Sequence, residues 1–304
     1  MHSNQKFIKY REGFMKGLFL FCSLFCVLSL ISIIVFLFAN GVPFIAKVGF
    51  VNFIFGTEYT PLTTPAKFGI LPLIVSSIYV TIISVILAVA IGLFTSACLH
   101  KFVNKKAAGF LRQLVSLLAG IPSVIFGLFG IIFIVPIIRD YISPNGVGYG
   151  IMSASIVLTM MILPTIVNVS LDALEAVPNT YYEGALALGT SKEEALFRVL
   201  FPSAKSGIFA GIILSIGRAI GETMAVIMVI GGSNEMPNSL FQSVNTLTAN
   251  IAAGALELTG DAERALVSCG VVLFVFTLLI NILFIFIKKI SKGEYKKWEK
   301  DIRF

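Results

Sequence analysis

Long apolar stretches without a charged side chain alternate along the chain with short charged segments. Five of these runs exceed the roughly 20 residues that an α-helix needs to cross about 30 Å of hydrocarbon. A sixth run is interrupted only by Arg218 and Glu222. The pattern predicts six transmembrane helices, at about 17–40, 68–99, 110–138, 149–171, 206–232 and 265–288. We therefore expect an all-α polytopic membrane protein, with residues 1–304 forming a single transmembrane domain.

Basic residues alternate regularly between the predicted helices. They are frequent before the first helix, between the second and third, between the fourth and fifth, and after the last. By the positive-inside rule, these connections and both chain termini are predicted to be cytoplasmic. The first apolar run is longer than a signal-peptide core and lacks a clear small-x-small cleavage site after it, so we expect a retained helix.

The composition argues against a catalytic or metal-binding protein. The chain is 57% hydrophobic and 13% charged, and its net charge of +7 is concentrated in the basic connections rather than on a surface for nucleic acid. The four cysteines show no CxxC or Cys/His spacing, so we expect neither a metal site nor a disulfide framework. His2 and His100 both lie near predicted cytoplasmic ends. We therefore expect no enzyme activity and no cofactor bound by this chain.

The predicted cytoplasmic connection at about 178–203 has a mixed-charge, amphipathic character. Pro178 precedes a short helix that ends near Gly189, and a second short helix, 192–200, is expected to stop at Pro202. Two such helices need a protein partner or the membrane surface to cover their apolar faces.

Part of this connection, GALALGTS at 184–191, partly matches a phosphate-binding loop. Thr190 stands where that motif requires lysine, and the segment is helical rather than preceded by a strand. No ATP site is expected in this chain, so uphill transport would draw its energy from another chain or from an ion gradient.

The third predicted helix contains the sequence AGIPSVIFGLFG. Pro122 lacks a backbone donor, so Pro122 and Ser123 are predicted to mark a break in the helix. Such breaks are tolerated inside a membrane where the freed backbone is buried or lines a cavity. A simple packing kink is the alternative, and the residues alone leave both open.

Arg218 and Glu222 lie near the middle of the fifth predicted helix. At about 1.5 Å per residue, Arg218 lies about 18 Å beyond Ser206. A lone charge at that depth costs about 2.5–3.5 kcal/mol on insertion scales. The i,i+4 spacing predicts that the two charges partly neutralise one another.

A stripe of small and polar residues includes this pair. It is formed by Gly211, Ser215, Arg218, Glu222 and Ala225. Gly217 and Gly221 lie beside it and would let a neighbouring helix approach closely. The stripe is predicted to face protein or water rather than lipid.

The cytoplasmic connection resembles the EAA loop of binding-protein-dependent ABC importer permeases. The residues that match its spacing, E-A-A-x3-G-x9-I-x-L-P, are Glu183, Ala185, Gly189 and Pro202. Gly184, Val199 and Phe201 depart from the pattern by small or apolar replacements. The resemblance implies that the matching residues couple this chain to a cytoplasmic ATPase. An ordinary loop helix that caps its own bundle is the alternative.

Three further segments narrow the resemblance to the permeases of phosphate ABC importers, the PstC type more than the PstA type. They are GIPSVIFGLFG (120–130), GRAIGETMAV (217–226) and NTLTANIA (245–252). The resemblance implies the type I ABC importer permease architecture and import of inorganic phosphate by alternating access. It also implies a multi-pass location in a bacterial or archaeal cytoplasmic membrane.

The partners implied by the resemblance belong to the same kind of transporter. They are a PstA-like second permease, two PstB-like ATPase subunits that use ATP, an extracytoplasmic PstS-like phosphate-binding protein and the lipid bilayer, with no nucleic acid. On this basis Arg218, Glu222, Thr223 and Ser215 are expected to line the substrate path, because a guanidinium suits an oxyanion. The alternative is a purely structural salt bridge between Arg218 and Glu222.

Other functions stay open on the sequence alone. A permease for sulfate or molybdate would share the fold, the loop and the partners. A proton- or sodium-coupled secondary transporter would also tolerate a buried Arg/Glu pair, but it would need no ATPase.

Overall fold

The computed structural model describes the backbone of residues 2–255 and 257–301 and the side chains of 11–255 and 257–286. The helices, in chain order, are α1 (His2–Val48), α2 (Phe50–Phe55), α3 (Leu71–Ala97), α4 (Lys105–Ala119), α5 (Ser123–Phe129), α6 (Val135–Ile137), α7 (Ile151–Glu175), α8 (Asn179–Ala187), α9 (Lys192–Ala195), α10 (Phe201–Gly221), α11 (Met224–Ile230), α12 (Leu247–Gly254) and α13 (Asp261–Asp301). Wider π-helical turns continue four of them, at Cys98–Phe102, Gly130–Ile134, Ile138–Ile142 and Leu196–Leu200. A two-stranded antiparallel hairpin, β1 (Tyr59–Thr60) and β2 (Lys67–Phe68), precedes α3.

Six segments of the described chain are helical, long and apolar enough to cross a membrane. They are Arg11–Val48, Leu71–Phe102, Ser123–Ile142, Ile151–Glu175, Lys192–Gly221 and Asp261–Phe286. The predicted all-α class with six membrane-spanning helices is confirmed. The predicted cytoplasmic side of the termini stays a prediction.

The loops gather at two ends of the helix bundle. Residues 98–112 and 175–203 form what we call the basic end, where the Lys101 ammonium donates to the Asn179 side chain at 3.0 Å. Residues 49–70, 143–150, 231–255 and 257–260 form the opposite end, where the Asn234 amide donates to the Tyr59 carbonyl at 3.3 Å. Each end is therefore held together by contacts between segments far apart in the sequence.

Helix α7 is the central element of the bundle. It packs against α3, α4, α10 and α11, and residues from Ile151 to Leu174 are buried along most of its length. Its sequence has no charged residue before Asp172, so it is apolar on all sides. A helix of this kind is buried rather than amphipathic.

Helix α3 packs closely on α7 because it places small residues at every fourth position. The buried residues along this ridge are Ser76, Val80, Ser84, Ala88, Gly92 and Ser96. A Cβ at Gly92 would lie 2.7 Å from the Ile166 side chain, so only glycine fits there without a shift. The Thr159 hydroxyl donates to the Ser84 carbonyl at 3.2 Å across this interface. Small side chains and polar contacts of this kind drive helix association in membranes.

The third predicted helix differs from the structure. The predicted range 110–138 is divided into α4, which ends at Ala119, and α5, which begins at Ser123. Gly120 still has helical dihedral angles, whereas Pro122 is extended and cannot donate to the preceding turn. The membrane-spanning part of this region is Ser123–Ile142.

The fifth predicted helix also differs from the structure, at both ends. Pro202 does not stop the preceding helix, because it lies in the first turn of α10, where its missing N–H is tolerated. The π-helical turn Leu196–Leu200 therefore joins α9 to α10. At the other end α10 stops at Gly221, well short of the predicted residue 232.

The connection that follows the first predicted helix contains regular secondary structure. Helix α1 continues to Val48, and α2 and the β1–β2 hairpin fill the rest. Phe44, Phe53 and Tyr59 are buried against α12 and α13 in a compact apolar cluster. Burial of these aromatic side chains stabilises the opposite end of the bundle.

Candidate functional site

Arg218 lies at the middle of the bundle, as its sequence position predicts. Helices α10 and α7 run antiparallel, since Gly207 faces Ala173 and Gly211 faces Val169. Both helices rise by the same distance per residue, so these two contacts fix their relative position. Arg218 therefore lies level with Ile162, near the centre of α7. The Arg218 side chain is exposed on the surface of this chain.

Arg218 and Glu222 do not form the predicted ion pair. The helix ends at Gly221 and Glu222 has an extended backbone, so the i,i+4 geometry on which the prediction depended is lost. No salt bridge or hydrogen bond joins the Arg218 guanidinium to any residue that the structure describes. Instead, a carboxylate oxygen of Glu222 accepts from the backbone N–H of Ala225 at 3.0 Å and caps α11.

The predicted stripe is therefore split between two different surfaces. Gly211 and Ser215 are buried against α7, and the Ser215 hydroxyl donates to the Gly211 carbonyl at 2.9 Å. Ala225 is buried on α11 against Gly127 of α5. The structure does not bring Ser215 to the exposed face that holds Arg218. Thr223 lies at the helix break itself, half-buried beside Glu222.

Two helix breaks lie at the same level of the bundle. Helices α5 and α11 run in parallel, since Gly127 faces Ala225 and Gly130 faces Val229. Four residues before Gly127 on α5 lies Ser123, which is therefore level with the break at Glu222, just before α11. The interruption after Pro122 and the interruption after Gly221 therefore lie at similar levels along the bundle. Discontinuous helices at this depth occur where backbone lines a cavity or is buried in protein.

A short helix from the opposite end reaches this level as well. The Thr248 hydroxyl, in the first turn of α12, donates to the Glu222 carbonyl at 3.0 Å. The Leu247 N–H donates to the Ser77 hydroxyl on α3 at 3.0 Å. The resemblance of NTLTANIA to a family motif does not predict that this segment folds back to the helix break. The Thr246 cap, which accepts from the Ala249 N–H at 3.2 Å, was the available signal.

Helix α8 presents a second candidate site at the basic end. It carries Glu183 and Ala185 and ends before Gly189, whose positive φ of 88° fits a C-terminal cap. Glu183 and Gly189 are exposed, whereas Ala185 is buried beneath the helix. Pro202 lies one segment further on, exposed at the start of α10. The structure thus keeps three of the four predicted coupling residues at the surface.

The most exposed apolar side chain of this site was not predicted. Leu188 is 87% exposed at the end of α8, and Tyr181 is 49% exposed on the same helix. Behind them, the Lys101 ammonium lies 4.3 Å from the centre of the Tyr182 ring and fixes α8 against the end of α3. An apolar side chain held outward by a rigid helix is typical of a protein docking site.

The fold defines a class of protein: a polytopic helical membrane permease with a short exposed helix, α8, at its basic end. The family model described as "Binding-protein-dependent transport system inner membrane component" matches residues 88–293. This chain belongs to that family. Its members are inner-membrane components of transport systems that depend on a binding protein.

Curated relatives cover most of the chain. It is 33% identical over 266 residues to the probable ABC transporter permease protein YqgH of Bacillus subtilis, with 86% of both chains covered. It is 33% identical over 263 residues to the phosphate transport system permease protein PstC of Mesorhizobium japonicum, with 80% of both covered. The PstC protein of Pasteurella multocida is 30% identical over 300 residues, with 91% of this chain and 92% of that protein covered. The predicted resemblance to PstC-type permeases is confirmed.

Solved structures agree on the fold. The bacterial alginate ABC transporter in complex with its pentasaccharide-bound periplasmic protein matches with a TM-score of 0.60 and 14% identity, over 85% of this chain and 90% of that chain. The inward-facing MetNI methionine ABC transporter matches with a TM-score of 0.59 and 18% identity, over 73% and 95%. Both likenesses concern the fold alone.

Proposed function

We propose that this chain is a transmembrane permease subunit that carries inorganic phosphate into the cell, driven by a partner ATPase. The fold and the family define an ABC importer permease. The PstC relatives named for phosphate transport support the choice of anion. Membership in an ABC importer family disfavours an ion-coupled secondary transporter, and no feature of the described chain favours sulfate or molybdate.

The observation that carries the proposal is the unpaired Arg218 at mid-depth. A charged side chain facing hydrocarbon there costs about 2.5–3.5 kcal/mol or more. Because the described residues offer it no carboxylate, the face that bears it has to meet protein or water. A guanidinium offers paired N–H donors that suit a tetrahedral oxyanion. We assign Arg218 to the wall of the phosphate path, with Thr223 and the backbone of the Glu222 break beside it.

The side of α10 that bears Arg218 is also suited to close packing against a second permease. A Cβ added at Gly217 or at Gly221 would meet nothing within 4 Å, so both glycines lie open on the surface of this chain. Small residues allow two helices to approach closely in a membrane. We infer that a PstA-like permease packs here and completes a path that neither chain encloses alone.

The basic end would carry the energy coupling. We propose that α8 docks on one of two PstB-like ATPase subunits through Leu188 and Tyr181, with Glu183, Ala185, Gly189 and Pro202 shaping that surface. A PstS-like phosphate-binding protein would deliver the anion at the opposite end. These placements follow the predicted topology, with the basic end in the cytoplasm.

Phosphate uptake by cells that express the whole complex and lack other phosphate importers tests the proposal. Arg218→Gln should lower uptake about 30-fold or more, because losing one partner of a desolvated charge contact costs about 2 kcal/mol or more. Copurification with the ATPase subunits should be unchanged. Excess sulfate or molybdate should not compete with labelled phosphate.

A matched control lies outside the path. Arg264 is exposed at the opposite end, 3.8 Å from the Asp261 carboxylate, and Arg264→Gln should leave uptake near the wild-type rate. Wild-type uptake by Arg218→Gln would refute the path assignment, and so would loss of the assembled complex. Competition by sulfate would refute phosphate as the specific cargo while leaving the path assignment standing.

A further inference from the structure

Two cavities follow one another along α4 at the basic end. The first has a volume of about 580 Å³ and is lined by polar and charged groups, among them Lys101, Lys105, Arg112 and Glu175. The second, about 490 Å³, is lined almost entirely by apolar side chains, including Leu111, Leu114 and Leu118. Each has the size of a small-molecule site. Leu99 forms part of the wall of both, so the two cavities adjoin.

The order of the cavities follows the depth of the membrane. The polar cavity lies against the start of α4 and the end of α3, where the chain leaves the apolar region. The apolar groove lies further along α4 and extends along α3 to Thr95, deeper in the bundle. None of the side chains of α4 is buried, although the helix is strongly apolar on one side. The pair of cavities thus has the polarity profile of a phospholipid.

Two lysines of the polar cavity lack a carboxylate partner among the described residues, although Glu175 also lines the cavity. Arg112 is satisfied by Asp172 and Glu175 of α7. Among the described residues, the Lys101 ammonium makes polar contacts with neutral groups, the Asn179 side chain and the Tyr182 ring. Lys105 has no carboxylate within 4 Å in the described part of the chain, and it lies in the first turn of a helix, where the helix dipole disfavours a cation. A negative headgroup would compensate both lysines.

We propose that the joined cavities bind one anionic phospholipid, with its phosphate beside Lys101 and Lys105 and an acyl chain in the groove along α4. Pro178 and Asn179, where α8 begins, line the polar cavity. The bound lipid would therefore touch the base of the coupling helix. This site is independent of the transported anion, so it stands or falls separately from the proposed function.

The test is lipid binding to the purified whole complex, measured by native mass spectrometry during titration with phosphatidylglycerol or phosphatidylcholine of identical acyl chains. The wild-type complex should bind phosphatidylglycerol more tightly than phosphatidylcholine. Lys105→Gln should weaken phosphatidylglycerol binding about 5-fold, the effect expected of one lysine near an anionic lipid. Lys106→Gln is the matched control, because Lys106 shares the charge and the helical turn but does not line the cavity.

A second variant tests the site by shape rather than charge. A Cβ at Gly109 would meet nothing within 4 Å, and Gly109 lines the polar cavity, so Gly109→Trp should place a bulky ring in the cavity and abolish specific binding. Equal weakening by Lys105→Gln and Lys106→Gln would indicate general attraction to a basic surface and overturn the proposal. Unchanged binding in Gly109→Trp would also overturn it. Displacement of the lipid by millimolar inorganic phosphate would identify a free-anion site instead.

Discussion

At the scale of single residues, Glu222 has a different role from the one its spacing suggests. Its carboxylate caps α11 through the Ala225 N–H, and its carbonyl accepts from the Thr248 hydroxyl. Both contacts stabilise the break in the helix, and neither involves Arg218. Arg218 is thereby left without an ion-pair partner among the described residues, so its guanidinium is free for the anion contact that we propose.

Substitutions of Glu222 separate these roles. Glu222→Ala removes the cap and should destabilise α11 by about 0.5–2 kcal/mol. Glu222→Gln keeps an oxygen that can accept from Ala225, so it should lower the thermal unfolding midpoint of the purified complex less than Glu222→Ala does. Phosphate uptake by Glu222→Gln should stay within about threefold of wild type. Abolished uptake in Glu222→Gln, as in Arg218→Gln, would show that the charge itself is needed.

At the scale of helices, α8, which we propose as the coupling helix, is built from local signals. Pro178 precedes its first turn, Gly189 follows its last, and the Thr190 hydroxyl donates to the Ala185 carbonyl at 2.8 Å. These local signals fix both ends of the helix. Leu188 extends from its end as an apolar side chain that is 87% exposed.

Leu188→Asp should prevent docking of the ATPase subunits. A buried unpaired carboxylate in an apolar pocket is costly, so recovery of the ATPase with affinity-tagged permease should fall about tenfold or more. Tyr141 offers a control of similar exposure, 85%, at the far side of the bundle. Tyr141→Asp should copurify with the ATPase normally. Normal copurification of Leu188→Asp would exclude this residue as a docking contact.

The helices that sequence patterns predict are those with strong local signals. Long apolar runs identify the membrane spans, and Pro122 and Pro178 mark the starts of α5 and α8. The break at Glu222 was not predictable in the same way, because GETMAV contains no proline and its charge spacing favours a helix. Only Gly217 and Gly221 weaken helix propensity there. Helix α12 is too short and too polar to be detected as a long apolar run. Its position depends on contacts with Ser77 and Glu222, which are distant in the sequence.

At the scale of the whole molecule, the chain leaves one face of its helix bundle uncovered. Its central helix α7 is enclosed, but the side of α10 that carries Gly217, Arg218 and Gly221 is uncovered. A second permease would convert this side into an inner wall. Alternating access would then expose the wall first to one side of the membrane and then to the other.

A cysteine at position 221 reports that exposure. With the native Cys22, Cys26, Cys98 and Cys269 replaced, Gly221→Cys should react with a membrane-impermeant maleimide applied at the opposite end only when nucleotide holds the complex outward-facing. Phe209→Cys is the control on the same helix, at a side chain that is 45% exposed, lies about 120° around the helix from Gly221 and is expected to face lipid. It should stay unreactive in both states. Equal reactivity of position 221 with and without nucleotide would contradict a gated path.

The ridge of small residues on α3 has a consequence for which mutations the protein can tolerate. Five of its six buried positions are serine, alanine or glycine, and they recur every four residues from Ser76 to Ser96. In a library of all single substitutions selected for growth on limiting phosphate, bulky replacements should be depleted with this four-residue period. The intervening positions of α3 should accept most apolar residues. The variant frequencies alone would then identify the face of α3 that contacts α7.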